Sequence, residues 1–306
     1  MRNTCLNMVH ELAKRDPRVV YIGSDPGPGT LTKMQSEFPD RFYIEGISEQ
    51  NVIGMAAGLA MAGYVPYVNT IATFLTRRCL EQVAIDLCLH GLPVRLIGNG
   101  GGMVYAPLGP THTAIEDVAL MRALPNMAVV APTDAEEMRR FMPATLDWPG
   151  PIYIRLAKGK DPVVPNPDGR FEIGKGRVFG GPAPVVIAAT GVTVDPAIAA
   201  AQALTVDGIA ARVVAFQTVA PLDVELLAEV TGDARLVVTV EEHVRNGGLG
   251  TAVLEALADM DRPLPRVIRL GLPAAFRHHY GSQANHLAQE GLSREGIEAA
   301  VRRALK

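Results

Sequence analysis

Cysteine is scarce in this chain, with only Cys5, Cys79 and Cys88 among 306 residues. An odd count at irregular spacing argues against a disulfide framework or a cysteine-bound metal. It predicts free thiols in a reducing, cytoplasmic setting. Tracts of one charge sign are missing too. The 29 basic and 32 acidic side chains are interspersed and give a formal net charge of -3, so neither nucleic acid nor a membrane surface is an expected partner. No apolar stretch reaches the length of a membrane span. Met1 to Val20 carries Arg2, His10, Glu11, Lys14, Arg15, Asp16 and Arg18, where a signal peptide would hold its apolar core. Aromatic residues make up 5% of the chain, so a lone aromatic beside a polar motif stands out.

Short apolar runs are plentiful. Hydrophobic residues amount to 48%, enough at this length for two well-packed domains of ordinary size. Strand-like runs fall at Arg18 to Gly23, Tyr43-Ile44, Val65 to Thr70, Pro93 to Ile97, Met127 to Ala131 and Pro151 to Leu156. Helix-like segments alternate with them at Asn3 to Arg15, Leu31 to Glu37, Asn51 to Ala62, Thr76 to His90 and Ala135 to Leu146, the last capped by Thr133-Asp134. Apolar strands separated by helices predict a mostly parallel sheet covered on both faces. Ala157 to Pro184 is rich in Gly and Pro and reads as a linker. A second alternating series follows, with strands at Val185 to Ala189, Ala211 to Phe216, Leu236 to Val240 and Arg266 to Leu270. Its helices are expected at Pro196 to Thr205, Val224 to Val230, Thr251 to Ala258 and Arg294 to Leu305. The expected fold class is therefore α/β, with two doubly wound domains at 1–160 and 184–306, a linker at 161–183, and right-handed crossovers.

The densest motif runs from Gly46 to Arg77. Ile47-Ser48-Glu49-Gln50 opens a helix rich in Gly and Ala, the strand around Tyr67 follows, and Ala72-Thr73-Phe74-Leu75-Thr76-Arg77 leads into the next helix. A third loop carries Gly109-Pro110-Thr111-His112. An acid at a helix start, an aromatic at a strand-to-helix turn and a loop His suit a nucleotide-like or pyrimidine-containing cofactor. Each also has an ordinary reading. A first-turn Glu complements a helix dipole, worth about 0.3–1 kcal/mol; Phe74 can be core, and a loop His can be incidental. Glu241-Glu242-His243 looks like a metal motif, but adjacent strand residues point to opposite faces, which argues against it.

These motifs closely resemble the pyrimidine-binding domain of transketolase and of 1-deoxy-xylulose-5-phosphate synthase, both thiamine diphosphate enzymes. Ala188-Ala189-Thr190-Gly191, Val219-Ala220-Pro221-Leu222-Asp223, Val238 to Glu242, Gly247-Gly248-Leu249-Gly250 and Gly271-Leu272-Pro273 resemble the C-terminal domain of the same enzymes. The resemblance implies that Glu49 activates the cofactor by hydrogen-bonding its aminopyrimidine, whose imino form acidifies the thiazolium carbon. It also implies that Phe74 stacks on the pyrimidine, worth about 0.5–1.5 kcal/mol beyond burial, and that His112 faces the substrate. Ile71 and Arg77 stand where transketolases place two further aromatics around the ring, and Arg77 matches the synthase. Asp25 matches an Asp near the thiazolium, or is a turn residue before Pro26. The helix from Asn51 packs across a subunit interface in the family, or simply close to its own sheet.

Departures from the family pattern bear on the substrate. Leu108 replaces an Asp that touches substrate hydroxyls. Gly100, in Gly98-Asn99-Gly100-Gly101-Gly102, stands where transketolases place a phosphate-binding His; the glycines cradle an anion or form a tight loop. Lys158, or Arg155, falls near the phosphate-binding Arg, though both can be surface charges at the linker start. The Gly-Asp-Gly…Asn motif that holds the diphosphate and Mg²⁺ is missing; Gly232-Asp233-Ala234 does not match it. The resemblance thus implies one subunit of a split enzyme, with no metal ligand of its own. Its partner would be an N-terminal transketolase-like subunit holding the diphosphate and Mg²⁺, and pyrimidine domains would pair to give a heterotetramer. The implied reaction moves a two-carbon ketol unit from a ketose, phosphorylated or not, to an aldehyde. Alternatives are 2-oxo acid decarboxylation, synthase-type condensation, loading of a two-carbon unit onto a carrier protein, and a catalytically silent scaffold.

Overall fold

The computed structural model describes residues 1–24, 31–157, 159, 161–166, 169–278 and 280–306. In chain order the first half carries α1 (Arg2–Arg15), β1 (Val19–Gly23), α2 (Thr32–Glu37), β2 (Phe42–Ile44), α3 (Glu49–Met61) and β3 (Val65–Ile71). It continues with α4 (Ala72–Thr76), α5 (Leu80–Gln82), β4 (Arg95–Asn99), α6 (Asp117–Arg122), β5 (Ala128–Val130), α7 (Ala135–Phe141) and β6 (Ile152–Leu156). The second half carries β7 (Arg177–Phe179), β8 (Val185–Ala189), α8 (Val194–Val206), β9 (Ala211–Ala215), β10 (Thr218–Ala220) and α9 (Val224–Thr231). It ends with β11 (Leu236–Val244), α10 (Leu249–Ala258), β12 (Arg266–Leu272), α11 (Gln283–Gln289) and α12 (Arg294–Leu305).

Two mostly parallel sheets result, in the orders β10-β5-β6-β4-β3-β1-β2 and β12-β11-β8-β9-β7. The strands are apolar runs because helices cover both faces; β1, β4, β6 and β8 are buried along their whole length. Each sheet has one antiparallel edge, and neither edge is visible in the sequence pattern. The segment 161–183, read as linker, contains β7, which pairs antiparallel with β9. The strand β10 follows β9 closely in the chain yet leaves its own half to pair with β5 of the first sheet. Three residues each are too few to show a period.

The expected helix Thr76 to His90 is not continuous. The structure breaks it after α4, restarts it at α5 and finishes with a π-helical turn, Val83–Leu89. The Thr76 hydroxyl donates to the Ala72 carbonyl at 2.9 Å, and the Cys79 thiol donates to the Phe74 carbonyl at 3.1 Å. Side chains thus take up carbonyls around the break.

A buried ion pair in the first half also reaches the second. Arg155, on β6, donates through Nε and Nη2 to the two oxygens of Asp117 at 2.8 and 3.0 Å, and Tyr153 donates to Asp117 at 2.7 Å. Nη2 also reaches the carbonyls of Ala114 at 3.0 Å and of Glu242, in β11, at 2.9 Å. The Glu242 carboxylate in turn accepts from the Met103 N–H at 2.8 Å and from Gln283 at 2.9 Å. Burial alone would push the Asp117 carboxyl up, but the Arg155 guanidinium outweighs it and holds the group below its ordinary value. Replacing Asp117 by Ala strands a charged guanidinium in the interior. We expect a loss of about 3–5 kcal/mol in unfolding free energy, measured by urea titration of the purified chain.

Candidate active site

The candidate site lies at the carboxyl ends of the parallel strands, where open α/β sheets place their ligands. Glu49 begins α3 but does not face water as a simple dipole-complementing acid would; it is 2% exposed. Its Oε2 accepts from Arg78 Nη1 at 2.5 Å. Phe74, in α4 just after β3, is half-buried, and the Arg78 guanidinium carbon sits 4.3 Å from its ring centroid. His112 completes the row, with its ring 5.4 Å from that of Phe74 and inclined at 68°. Glu49, Phe74 and His112, separated in sequence by tens of residues, are therefore linked in one chain of contacts. Arg78 is the link that sequence reading passes over; its only signal is being one of two adjacent arginines after an aromatic.

The two arginines diverge at the helix break. Arg77 turns to the His112 loop, where it donates to both oxygens of Glu116, to the Pro110 carbonyl at 3.1 Å and to the Thr113 carbonyl at 2.8 Å. Thr73 donates to the Thr111 carbonyl at 3.2 Å, and the Thr111 hydroxyl lies 2.8 Å from His112 Nδ1. Gly109, at φ 82°, makes the left-handed turn that starts this loop. From the other half, Phe276 lies 5.9 Å from the Arg77 guanidinium.

Of the other sequence candidates, Ile71 sits at the start of α4, half-exposed beside the site, and Leu108 is 55% exposed on the turn before the His112 loop. Asp25 and Lys158 lie outside the described residues. Arg155, a phosphate-binding candidate or else a surface charge in the sequence, is an interior charge whose bonded nitrogens are committed to Asp117 and to backbone carbonyls. Of the two readings of the triple glycine, anion cradle or tight loop, the structure fits the packed loop. The N–H groups of Gly101 and Gly102 are spent on the carbonyls of Leu156 and Ala114, at 2.9 and 2.7 Å. A Cβ at Gly100 would strike the Tyr105 ring at 2.1 Å, so close packing explains that glycine. Gly100 still lines a cavity of about 680 Å³ with Asn99, Tyr105 and Arg2. Asn99 spends its amide N–H on Asn69 at 2.5 Å, while its Oδ1 is buried without a protein partner. That unpaired acceptor is a second feature the sequence reading misses; an Asn ending an apolar strand is its signal.

The cysteines are poor nucleophiles. Burial pushes Cys5 and Cys79 up to about 12 and Cys88 up to about 11, the nearby Glu49 adding to the rise at Cys79. In β11, Glu241 accepts from the Leu249 and Gly250 N–H groups at 2.7 and 2.8 Å, capping α10. His243 is 3.7 Å from it on the same face, while Glu242 turns the other way. No helix among the described residues is long and apolar enough to cross a membrane.

The profile of the transketolase pyrimidine-binding domain matches residues 1–162, and that of the transketolase C-terminal domain matches residues 174–301. The chain belongs to the transketolase family. It is 36% identical to one subunit of the apulose-4-phosphate transketolase of Phocaeicola vulgatus, over 97% of this chain and 94% of that subunit. It is 41% identical to the 1-deoxy-D-xylulose-5-phosphate synthase of Anaeromyxobacter dehalogenans (strain 2CP-1), over 95% of this chain but 46% of the synthase. The chain thus spans about half the length of the synthases it matches. Among solved structures it superposes on a chain of a split-gene transketolase, described as an inactive beta4 tetramer. The TM-score is 0.91 at 38% identity, covering 99% of this chain and 97% of that one.

The bonds from Arg77 make it the support of the His112 loop. Arg77→Met should raise amide hydrogen exchange across residues 110–116, with α3 unaffected; equal exchange in both proteins would remove the supporting role.

Proposed function

We propose that this chain is the subunit of a split, thiamine diphosphate-dependent transketolase that activates the cofactor and handles the substrate. The carrying observation is the slot made by the buried Glu49 carboxylate and the face of Phe74, with His112 alongside. A slot that seats the flat Arg78 guanidinium suits an aminopyrimidine: a π face on one side and a carboxyl at the edge. When bound, thiamine diphosphate supplies the carbanion chemistry. Glu49 hydrogen-bonds the pyrimidine ring nitrogen and holds the proton there; Phe74 fixes the ring plane. His112, held by Thr111 and by the Arg77-supported loop, binds the substrate carbonyl or hydroxyl and passes protons at that oxygen. The cavity lined by Asn99, Gly100 and Tyr105 takes the far end of the substrate. Asp25 and Lys158 keep the family roles assigned to them in this reading, and the chain comprises a pyrimidine domain at 1–160 and a C-terminal domain at 184–306.

A partner holding the diphosphate and Mg²⁺ is part of the proposal. The split-gene relative described as an inactive beta4 tetramer supports it, since copies of the one chain there do not suffice. The outer face of α3 supports pairing of pyrimidine domains. Val52, Ile53, Ala56, Ala57 and Ala60 pack inward, whereas Gly54 and Gly58 are exposed, with nothing within 4 Å of a Cβ built on either. Gly58→Leu should leave the melting temperature of the free chain unchanged or raised, because Gly costs a helix about 1 kcal/mol. The same change should break the assembly on size-exclusion chromatography; an intact assembly would move the interface elsewhere.

The function is tested on the chain co-produced with a subunit carrying the diphosphate motif. Calorimetry should show thiamine diphosphate and Mg²⁺ binding to the complex and not to the chain alone. Glu49→Gln should lower turnover by at least about 10²-fold with the complex intact. Near-normal turnover would remove Glu49 from catalysis. A second reading, a synthase-type subunit using pyruvate, is favoured by Arg77, which matches the synthase where transketolases carry an aromatic. Two-carbon transfer from ketose phosphates supports the first reading, and pyruvate consumption the second.

A further inference from the structure

The Arg78 side chain holds both partners that the proposed function assigns to the cofactor's pyrimidine. Its Nη1 donates to Glu49 at 2.5 Å, and its Cζ lies over Phe74 at 4.3 Å. A guanidinium is flat, stacks on aromatic faces and carries N–H donors along its edge. An aminopyrimidine is also flat and bonds through its edge. Neither the stacking face nor the bonded carboxylate oxygen serves two such groups at once.

The physical need for a cation at this point is clear. A carboxylate as buried as Glu49 is costly without a counter-charge. The Glu49 side chain is 2% exposed, but that of Arg78 is 41% exposed. The buried end of the pair is therefore fixed, and the cation reaches it from solvent on a flexible stem. Arg77 is bound to the His112 loop and is not free to do the same. Among the described residues Arg78 has no other ion pair. Its backbone is anchored instead, through its carbonyl, which accepts from Gln50 at 3.0 Å. The side chain can leave without moving the turn that carries it.

Resting on the thiamine reading above, we propose that Arg78 is a built-in stand-in for the cofactor's aminopyrimidine, which keeps the slot closed and Glu49 paired until thiamine diphosphate displaces it. The stand-in lowers the observed cofactor affinity by the fraction of time the slot is open. It also protects the chain during assembly, when a bare Glu49 would destabilise it.

The test compares the unsubstituted chain with Arg78→Gln and Arg78→Lys, each alone and co-produced with the diphosphate-carrying subunit. Alone, Arg78→Gln should melt several degrees lower than the unsubstituted chain. In the complex it should bind thiamine diphosphate, with Mg²⁺ present, about threefold to tenfold more tightly by calorimetry. Arg78→Lys keeps the charge but loses the flat stack, folds through the same ion pair, and should fall between the two in both measurements. Equal or weaker cofactor binding by Arg78→Gln overturns the stand-in, as does an unchanged melting temperature of the free chain. If the unsubstituted complex takes up no thiamine diphosphate, the thiamine reading itself fails and this inference with it.

Discussion

The bond between Asp117 and Arg155 is the constraint on which the site rests. Arg155 stands on a central strand of the first sheet, and through the Glu242 carbonyl it also holds the longest strand of the second. Asp117 opens α6, directly after the loop that carries His112. The residue before it, Glu116, is the one that Arg77 grips from the other side. The loop is thus held by an interior charge pair at its end and by a second arginine along its length. The position of His112 relative to Phe74 follows from these two anchors more than from any contact of the imidazole itself. A buried pair of this kind adds little net stability compared with an apolar filling. Its contribution here is to fix where one sheet, one helix and one loop meet.

Polar groups at the carboxyl ends of apolar strands define the rest of the site. Asn69 and Asn99 are buried beside each other on adjacent strands, bonded to one another and, through Asn69, to Tyr21. The glycines after β4 let Tyr105, Arg155 and Glu242 approach the backbone to distances that any Cβ would prevent. They allow the interior charge network to close over the strand end, so a feature that looks like anion binding is a packing device. The same economy appears in α3. Its alanines pack inward and its glycines face out, which gives one short helix both a sheet-facing and an outward-facing role.

Much of this is legible in the amino-acid sequence. The alternation of apolar runs and helical segments specifies the parallel order of both sheets, because strands covered on both faces must be continuously apolar. Glu49, Phe74 and His112 stand out through their resemblance to the family motifs, and the fold links the three by contact. What is hidden depends on distance in space. Nothing local marks Thr218 to Ala220 as the edge of a sheet built from earlier residues. The commitment of Arg155 to Asp117 needs the fold to bring them together across 38 positions. Arg78 looks like a duplicate of Arg77 until the break in the helix sends the two side chains to different loops.

The crossing of β10 has a consequence for how this chain can be divided or shuffled. The matched family domains suggest two separable modules, yet the first sheet is finished by three residues that belong, in chain order, to the second. Cutting between the modules would leave β5 with an open row of backbone donors and acceptors, the situation natural sheets take care to cover. The second half would lose the partner of a short strand that cannot stand alone. Engineering therefore has to move the two halves as one cassette, the more so because one buried apolar cluster runs from Ile22 and Val129 in the first half to Val237 and Leu257 in the second.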